Sequence, residues 1–243
     1  MMNENGLLLS IEASAKACSV ALTRGQTLVA QYFQNSGLTH SRTLLCMVED
    51  ILKNNELTIA DVTRIAVGRG PGSFTGVRIA VAAAKGLAWG ADLPLCGVDT
   101  LEAAASVFDC EDTIIVPTMD ARRGEVYNAL FERSGGVLVR LCDDRAIPAA
   151  QLAEELRAVA EEQKNLGKTI LLCGDGAELT AAAFAAAGVA ARLATPTLRL
   201  QCAYGVAIAA QNVEDDADLE PFYLRVSQAE RLRETNTKKE ELQ

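Results

Sequence analysis

The order of apolar and polar positions divides the chain into short runs that alternate in kind. Leu7 to Glu12 is an apolar run ending on an acidic residue, Cys18 to Thr23 follows a small polar turn, and Arg24-Gly25-Gln26 turns the chain into Thr27 to Phe33. Three such runs predict a three-stranded meander. Beyond Ser41, a candidate N-cap, Leu44, Leu45, Val48, Ile51 and Leu52 recur at one-face helical spacing until Asn54-Asn55. Arg64 to Gly68 predicts a buried strand, a Gly-Pro-Gly turn leads into a helix over Thr75–Trp89, and Leu93 to Val98 predicts the next strand. Asp99 or Thr100, with Glu102 behind it, opens a helix reaching Val107.

The same arrangement then starts again. Thr113 to Met119, Glu125 to Glu132 and Val137 to Cys142 read as three antiparallel strands, and their likeness to the opening meander marks an internal repeat. After them come a helix over Ala149–Gln163, a strand over Thr169–Cys173, a glycine turn, and helices over Ala177–Ala187 and Leu198–Asn212. No Gly/Ser linker separates the halves. The division that fits best is a first subdomain over 1–108, a second over 109–230 and a charged, frayed tail over 231–243. The 198–212 helix is a candidate to pack back on the first subdomain.

The Thr75–Trp89 helix shows two apolar stripes. Val77, Val81, Ala84 and Ala88 form one, and Ile79, Ala83, Gly86 and Gly90 form another nearly opposite, with Arg78 and Lys85 in a thin polar seam between them. A helix apolar on both sides is buried on both sides. The sheet takes one side, and either the second half of the same chain or another subunit takes the other. Small residues at Ala83 and Gly86 let a second helix approach closely. These four positions, with Thr43 and Met47 on the preceding helix, are the candidate partner-binding residues.

Composition narrows the chemistry. With 243 residues, 49% hydrophobic and 23% charged, the chain fills one large core or two small ones and is neither disordered nor fibrous. A formal net charge of −9 is the wrong sign for gripping a phosphate backbone unaided, so any role on nucleic acid calls for a partner. Seven cysteines without a Cys-x-x-Cys pair read as reduced thiols of a cytoplasmic protein. The start lacks a basic segment, Leu7 to Ile11 is too short for a signal core, and no run of ~18 apolar residues is free of charge. Neither a leader nor a membrane span is expected.

Chemistry-bearing residues are sparse. His40 is the single histidine, which opposes a metal centre and a Ser-His-Asp or Cys-His hydrolase. Gly70-Pro71-Gly72-Ser73-Phe74-Thr75-Gly76 opens a helix, where free N–H groups can hold an anion or where Ser73 or Thr75 simply caps. It lacks the Lys-Ser/Thr of a P-loop. Glu12 and Ser14 at a strand tip can reach magnesium or a phosphate, or be an ordinary solvated cap. Gly174-Asp175-Gly176 lets a nucleotide approach the backbone, or is a plain turn. The candidate anion or nucleotide contacts are thus Glu12, Ser14, Gly72, Ser73, Gly174 and Gly176. Arg122 and Arg123, in the turn Asp120 to Tyr127, hold an anion or are solvated.

Gly70 to Ile79, read as Gly-Pro-Gly-Ser-Phe-Thr-Gly-Val-Arg-Ile, resembles the TsaB (YeaZ) family of bacterial tRNA threonylcarbamoyladenosine biosynthesis proteins. Supporting stretches in the family's order are Leu9 to Glu12 with Ser19 to Leu22, His40-Ser41, Asp120 to Tyr127, and Pro221-Phe222-Tyr223-Leu224-Arg225. The family often has Asp-Thr-Ser where this chain has Glu12-Ala13-Ser14. The resemblance implies an α/β, actin-like/Hsp70-like (ASKHA) fold of two similar subdomains, each a mixed sheet flanked by helices. It also implies a partner, the related TsaD subunit, which carries the metal and the chemistry and has a His-x-x-x-His pair where this chain offers only His40. The ATPase TsaE joins them. ATP and metal are then expected on those subunits rather than here, tRNA is reached only through the complex, and the chain alone pairs with itself.

Three readings follow. The first is a non-catalytic scaffold that holds TsaD active while a threonylcarbamoyl group passes from an adenylate to the tRNA adenosine beside the anticodon. The second is an independent ATPase or kinase of the actin-like fold, using Glu12 and Gly174 to Gly176. The third is a metallopeptidase relative, from the kinship of TsaD with proteins once named glycoproteases, and the single histidine opposes it.

Overall fold

The computed structural model describes residues 6–165 and 168–225. In the first half, β1 (Leu7–Glu12) is buried along its whole length, and β2 (Cys18–Arg24) and β3 (Thr27–Gln34) follow it as an antiparallel meander. α1 (His40–Lys53), β4 (Arg64–Gly70), α2 (Phe74–Ala91), β5 (Leu95–Asp99) and α3 (Thr100–Ser106) complete this part. β4 lies parallel to β1 and β5 parallel to β4, giving the order β3-β2-β1-β4-β5.

The second half has β6 (Thr113–Arg122), β7 (Glu125–Ser134), β8 (Val137–Pro148), α4 (Ala149–Asn165), β9 (Thr169–Cys173), α5 (Ala177–Ala186) and β10 (Arg192–Leu193). Its order, β8-β7-β6-β9-β10, repeats the first sheet strand for strand. In each half a central strand carries an antiparallel hairpin on one side and two parallel crossover strands on the other. This duplicated α/β arrangement, two mixed sheets flanked by helices, is the actin-like fold that the resemblance implies.

Strand alternation sorts the core. Leu7, Leu9 and Ile11 of β1 face α1 and α2, where Leu44, Val48 and Ile51 meet Val77, Ala80, Val81, Ala84 and Ala88. Leu8 points the other way, with Ala66, Cys96 and Val98, against α3 and α7 (Ala203–Ala209). A separate apolar cluster joins the halves: Leu101, Ala105 and Phe108 from the first pack with Ile115, Ala129, Phe131 and Leu171 from the second. Burying one such large side chain is worth about 1.5–3 kcal/mol, so this cluster outweighs the surface ion pairs nearby.

Several local expectations are corrected. The single helix read over Leu198–Asn212 is broken into α6 (Pro196–Arg199), an extended stretch at Leu200–Cys202, α7 and a 3-10 turn over Ala210–Asn212. The break is tertiary: Gly174 N donates to Arg199 O (2.6 Å), and Ala203 N donates to Ser19 Oγ (3.1 Å), so the chain stretches to cross from one half to the other. Ser41 does not cap α1. The helix begins at His40 behind an extended Thr39, and His40 Nε2–H reaches Ala15 O at 2.8 Å. Asp99, rather than Thr100, caps α3 by accepting from Glu102 N. The charged tail expected from residue 231 lies outside the described residues.

Candidate functional site

The halves border a cleft of about 390 Å3 at the carboxyl ends of the central strands, where α/β proteins place ligands. Its walls are Ser14 to Lys16 after β1, Gly72 to Phe74 before α2, Asp120 to Arg122 at the end of β6, Asp175 after β9, and the segment Tyr223 to Arg225. These positions follow from the fold, because each loop leaves a strand at the same end of its sheet.

The predicted contacts divide here. Ser14 reaches the cleft with its Oγ buried, while its carbonyl accepts from Ser73 N at 2.7 Å. Ser73 caps α2, accepting from Gly76 N at 3.4 Å. Glu12 does not reach the cleft. It is 1% exposed on the α7 side of the first sheet, Ser14 N donates to its Oε1 at 2.6 Å, and a Cβ at Gly68 would collide with its Oε2. Burial pushes this carboxyl up to about 7, against the Ser14 hydroxyl and N–H, which lower it.

The predicted glycines serve packing. At Gly72 a Cβ would press on Ser14 and Met119, and at Gly174 and Gly176 it would strike the backbone of Thr118 and Met119. Gly174 also has φ +91°, a conformation that favours glycine. The turn therefore wraps the end of β6, with Gly176 N donating to Thr118 O (2.9 Å) and Asp120 N donating to Asp175 Oδ1 (3.2 Å). Asp175 is raised by burial.

Sequence reasoning missed Lys16, Tyr127 and the strap Pro221 to Arg225 as cleft features. The strap crosses between the halves. Phe222 N donates to Arg69 O, Tyr223 stacks on Phe74 at 4.8 Å and accepts from Arg78 Nε at 2.8 Å, and Arg225 pairs with Glu125 of β7 at 2.7 Å. The aromatic Phe-Tyr pair beside an arginine was the available signal. Arg122 and Arg123 both have positive φ, and Arg122 pairs with Asp120 at 3.4 Å while remaining open to solvent.

The second candidate surface is α2. Its Val77, Val81, Ala84 and Ala88 stripe is buried against the sheet. On the other stripe Ile79 and Ala83 are half-buried and Gly86 and Gly90 are exposed, with no atom within 4 Å of a Cβ placed at either glycine. Trp89, beside them, is 90% exposed. Among the described residues, the second half of the chain does not cover the Gly86 and Gly90 end of this stripe. Of the two α1 residues, Met47 is buried in the core, and Thr43 is half-buried and hydrogen-bonds the Cys18 thiol, so both bear inward more than outward.

Among the described residues no three His, Cys, Asp or Glu side chains converge in a way that could hold a metal ion, and no helix is long and apolar enough to cross a membrane.

Residues 34–235 match the family model described as TsaD: tRNA N6-adenosine threonylcarbamoyltransferase. The chain is similar to the tRNA threonylcarbamoyladenosine biosynthesis protein TsaB of Bacillus subtilis (strain 168), 36% identical over 150 residues that cover 62% of this chain and 66% of that one. It is 43% identical to the Escherichia coli (strain K12) protein of the same name over 128 residues, 52% of this chain and 55% of that one. The matched part thus spans between about half and two thirds of these curated relatives. Among solved structures, YeaZ from Pseudomonas aeruginosa superposes with a TM-score of 0.72 at 25% identity, covering 90% of this chain and 100% of that one.

Proposed function

The chain belongs to the tRNA N6-adenosine threonylcarbamoyltransferase family, in its TsaB (YeaZ) branch, and from that premise we propose that it is a scaffold subunit rather than the transferase itself. It serves the synthesis of threonylcarbamoyladenosine in tRNA by holding a TsaD-type subunit, with a TsaE-type ATPase joining the assembly in the cytoplasm. ATP and metal belong to those partners, and tRNA reaches this acidic chain only through them. Alone, the chain forms a homodimer.

One observation carries this reading: the Ile79, Ala83, Gly86 and Gly90 stripe of α2, half-buried at its start and left open at Gly86 and Gly90 by the described residues. A helix with a small-residue apolar face lets a second helix backbone come close, and the missing side chains define where it sits. The Glu12 carboxyl, buried and outside the lining of the cleft, supports the same reading, because a bound ligand in the cleft would not touch it directly.

Mixing the chain with its TsaD-type subunit and measuring mass by sedimentation tests the proposal. Ala83→Glu and Gly86→Arg are expected to abolish both the mixed complex and the homodimer, since each puts a charge where the interface excludes water. Thermal unfolding should hold, because the stripe facing the sheet is untouched. Pairing that persists in both variants would overturn the α2 assignment. Tight magnesium-dependent ATP binding by the isolated chain would favour the ATPase reading instead.

A further inference from the structure

Across the boundary between the halves, β8 meets the β5–α3 corner at three carboxyl groups gathered around one guanidinium. Arg140 Nη2 lies 3.1 Å from Asp99 Oδ1 and 3.3 Å from Glu102 Oε2, and its Nη1 lies 2.5 Å from Asp144 Oδ1. The guanidinium stacks over Phe131, 4.7 Å from the ring centroid, and that ring belongs to the apolar cluster joining the halves. Asp99 also accepts from Glu102 N at 2.7 Å as the cap of α3. One guanidinium does not neutralise three carboxylates. The Asp144 side chain is only 7% exposed, and its Oδ2 has no donor within reach among the described residues. The Asp99 and Asp144 carboxyl groups are in hydrogen-bonding contact, so a proton between them supplies the donor that Asp144 lacks.

We infer that this cluster is a proton-controlled latch between the two halves, closed while the Asp99–Asp144 pair shares a proton and loosened when that proton leaves. The charged groups facing Asp99 are Asp144 and Arg140 from β8 and Glu102 from α3, and β7 contributes the Phe131 ring. Burial and the Asp144 carboxyl push Asp99 up to about 7, against the Glu102 N–H and Arg140, which pull it down. With the proton in place two carboxylates face one guanidinium, and without it three do. The repulsion falls on α3 and β8, which lie on opposite sides of the boundary. The cleft lies between the same two halves, so the latch sets how firmly its walls are held. This inference goes beyond the scaffold reading and does not depend on which partner docks at α2.

Amide hydrogen exchange of the full chain from pH 6 to 8.5, corrected for the intrinsic pH dependence, tests the latch at α3 and β8, with α5 as internal reference. Once the shared proton is lost, each further pH unit weakens the closed form about tenfold. In a Glu12→Gln background, which removes the other carboxyl that titrates near 7, the opening of α3 and β8 is therefore expected to rise at least about tenfold between pH 7 and 8.5, while α5 stays level. Asp99→Asn keeps an oxygen to cap α3 and offers Asp144 a permanent N–H donor, so it should abolish the rise. Asp144→Asn should do the same if the first variant folds poorly. Equal slopes with and without the Asn substitution in this background, or a background without the rise, would overturn the latch. So would a carboxyl 13C titration that places the Asp99 midpoint in the ordinary aspartate range.

Discussion

At Glu12 the strand tip carries a carboxyl group that the fold covers instead of presenting. Its ordinary value is 4.5 and burial raises it to about 7, so the folded chain holds this proton to higher pH than the unfolded chain. The stability it lends is complete below about 4.5 and is lost as pH climbs through 7. Glu12→Gln should match wild type near pH 4 and exceed it by up to roughly 3 kcal/mol at pH 8.5, as read by denaturant unfolding at each pH. A different local cost sits in the β6–β7 turn, where Arg122 pairs with Glu125 around a two-residue loop, and Arg123 (φ 58°) and Gly124 (φ 79°) are both left-handed. Asparagine suits the first loop position better than arginine. Arg123→Asn should raise the melting temperature by about 2–4 °C, checked by thermal unfolding. The position of Glu12 at a strand end was legible in the sequence. Its burial was not, because the cover comes from α7, far along the chain.

Among the elements, α2 was the most legible, since both of its stripes follow from periodicity alone and the buried one is the stripe that meets the sheet. Periodicity could not say whether the other stripe was covered by the same chain, because that depends on where the second half packs. The 198–212 stretch misled for a related reason. Its apolar residues continue a helical pattern, and its backbone breaks it by accepting from Gly174 N at Arg199 O and donating from Ala203 N to the Ser19 hydroxyl, on two different halves. The cleft strap was unreadable in the same way, since Tyr223 gains its role only by meeting Phe74 and Arg78. Trp89, the chain's single tryptophan, stands exposed at the end of α2 beside the uncovered stripe and reports on that face. Adding the TsaD-type subunit should shift its emission to shorter wavelength, and Ala83→Glu should suppress the shift. An unchanged spectrum on complex formation would place the partner elsewhere.

Across the whole molecule, the repeat of two three-strand starts was readable, and the two sheets carry it into a matching strand order that the sequence pattern did not specify. The 198–212 stretch reads as a candidate to return to the first half; what could not be read was that the chain around Asp216 and Leu219 joins it as well. Leu219 is buried with the core of the first sheet, Asp216 N donates to Leu95 O, and α7 covers the face that holds Leu8, Ala66, Cys96 and Val98. The second sheet therefore lies within an excursion of the first. On a ribosome, where residues emerge in order, the N-terminal lobe is translated first yet lacks part of its cover until α7 and Leu219 have left the exit tunnel. The second lobe has every strand of its sheet by then, so the later-made lobe can close before the earlier one. A chain stopped at residue 199 should consequently bind a hydrophobic dye and be cut rapidly by protease within β1–β5, while β6–β10 resists. Supplying residues 200–225 as a separate peptide should restore protection to the first lobe, much as a late-arriving strand completes an unfinished weave.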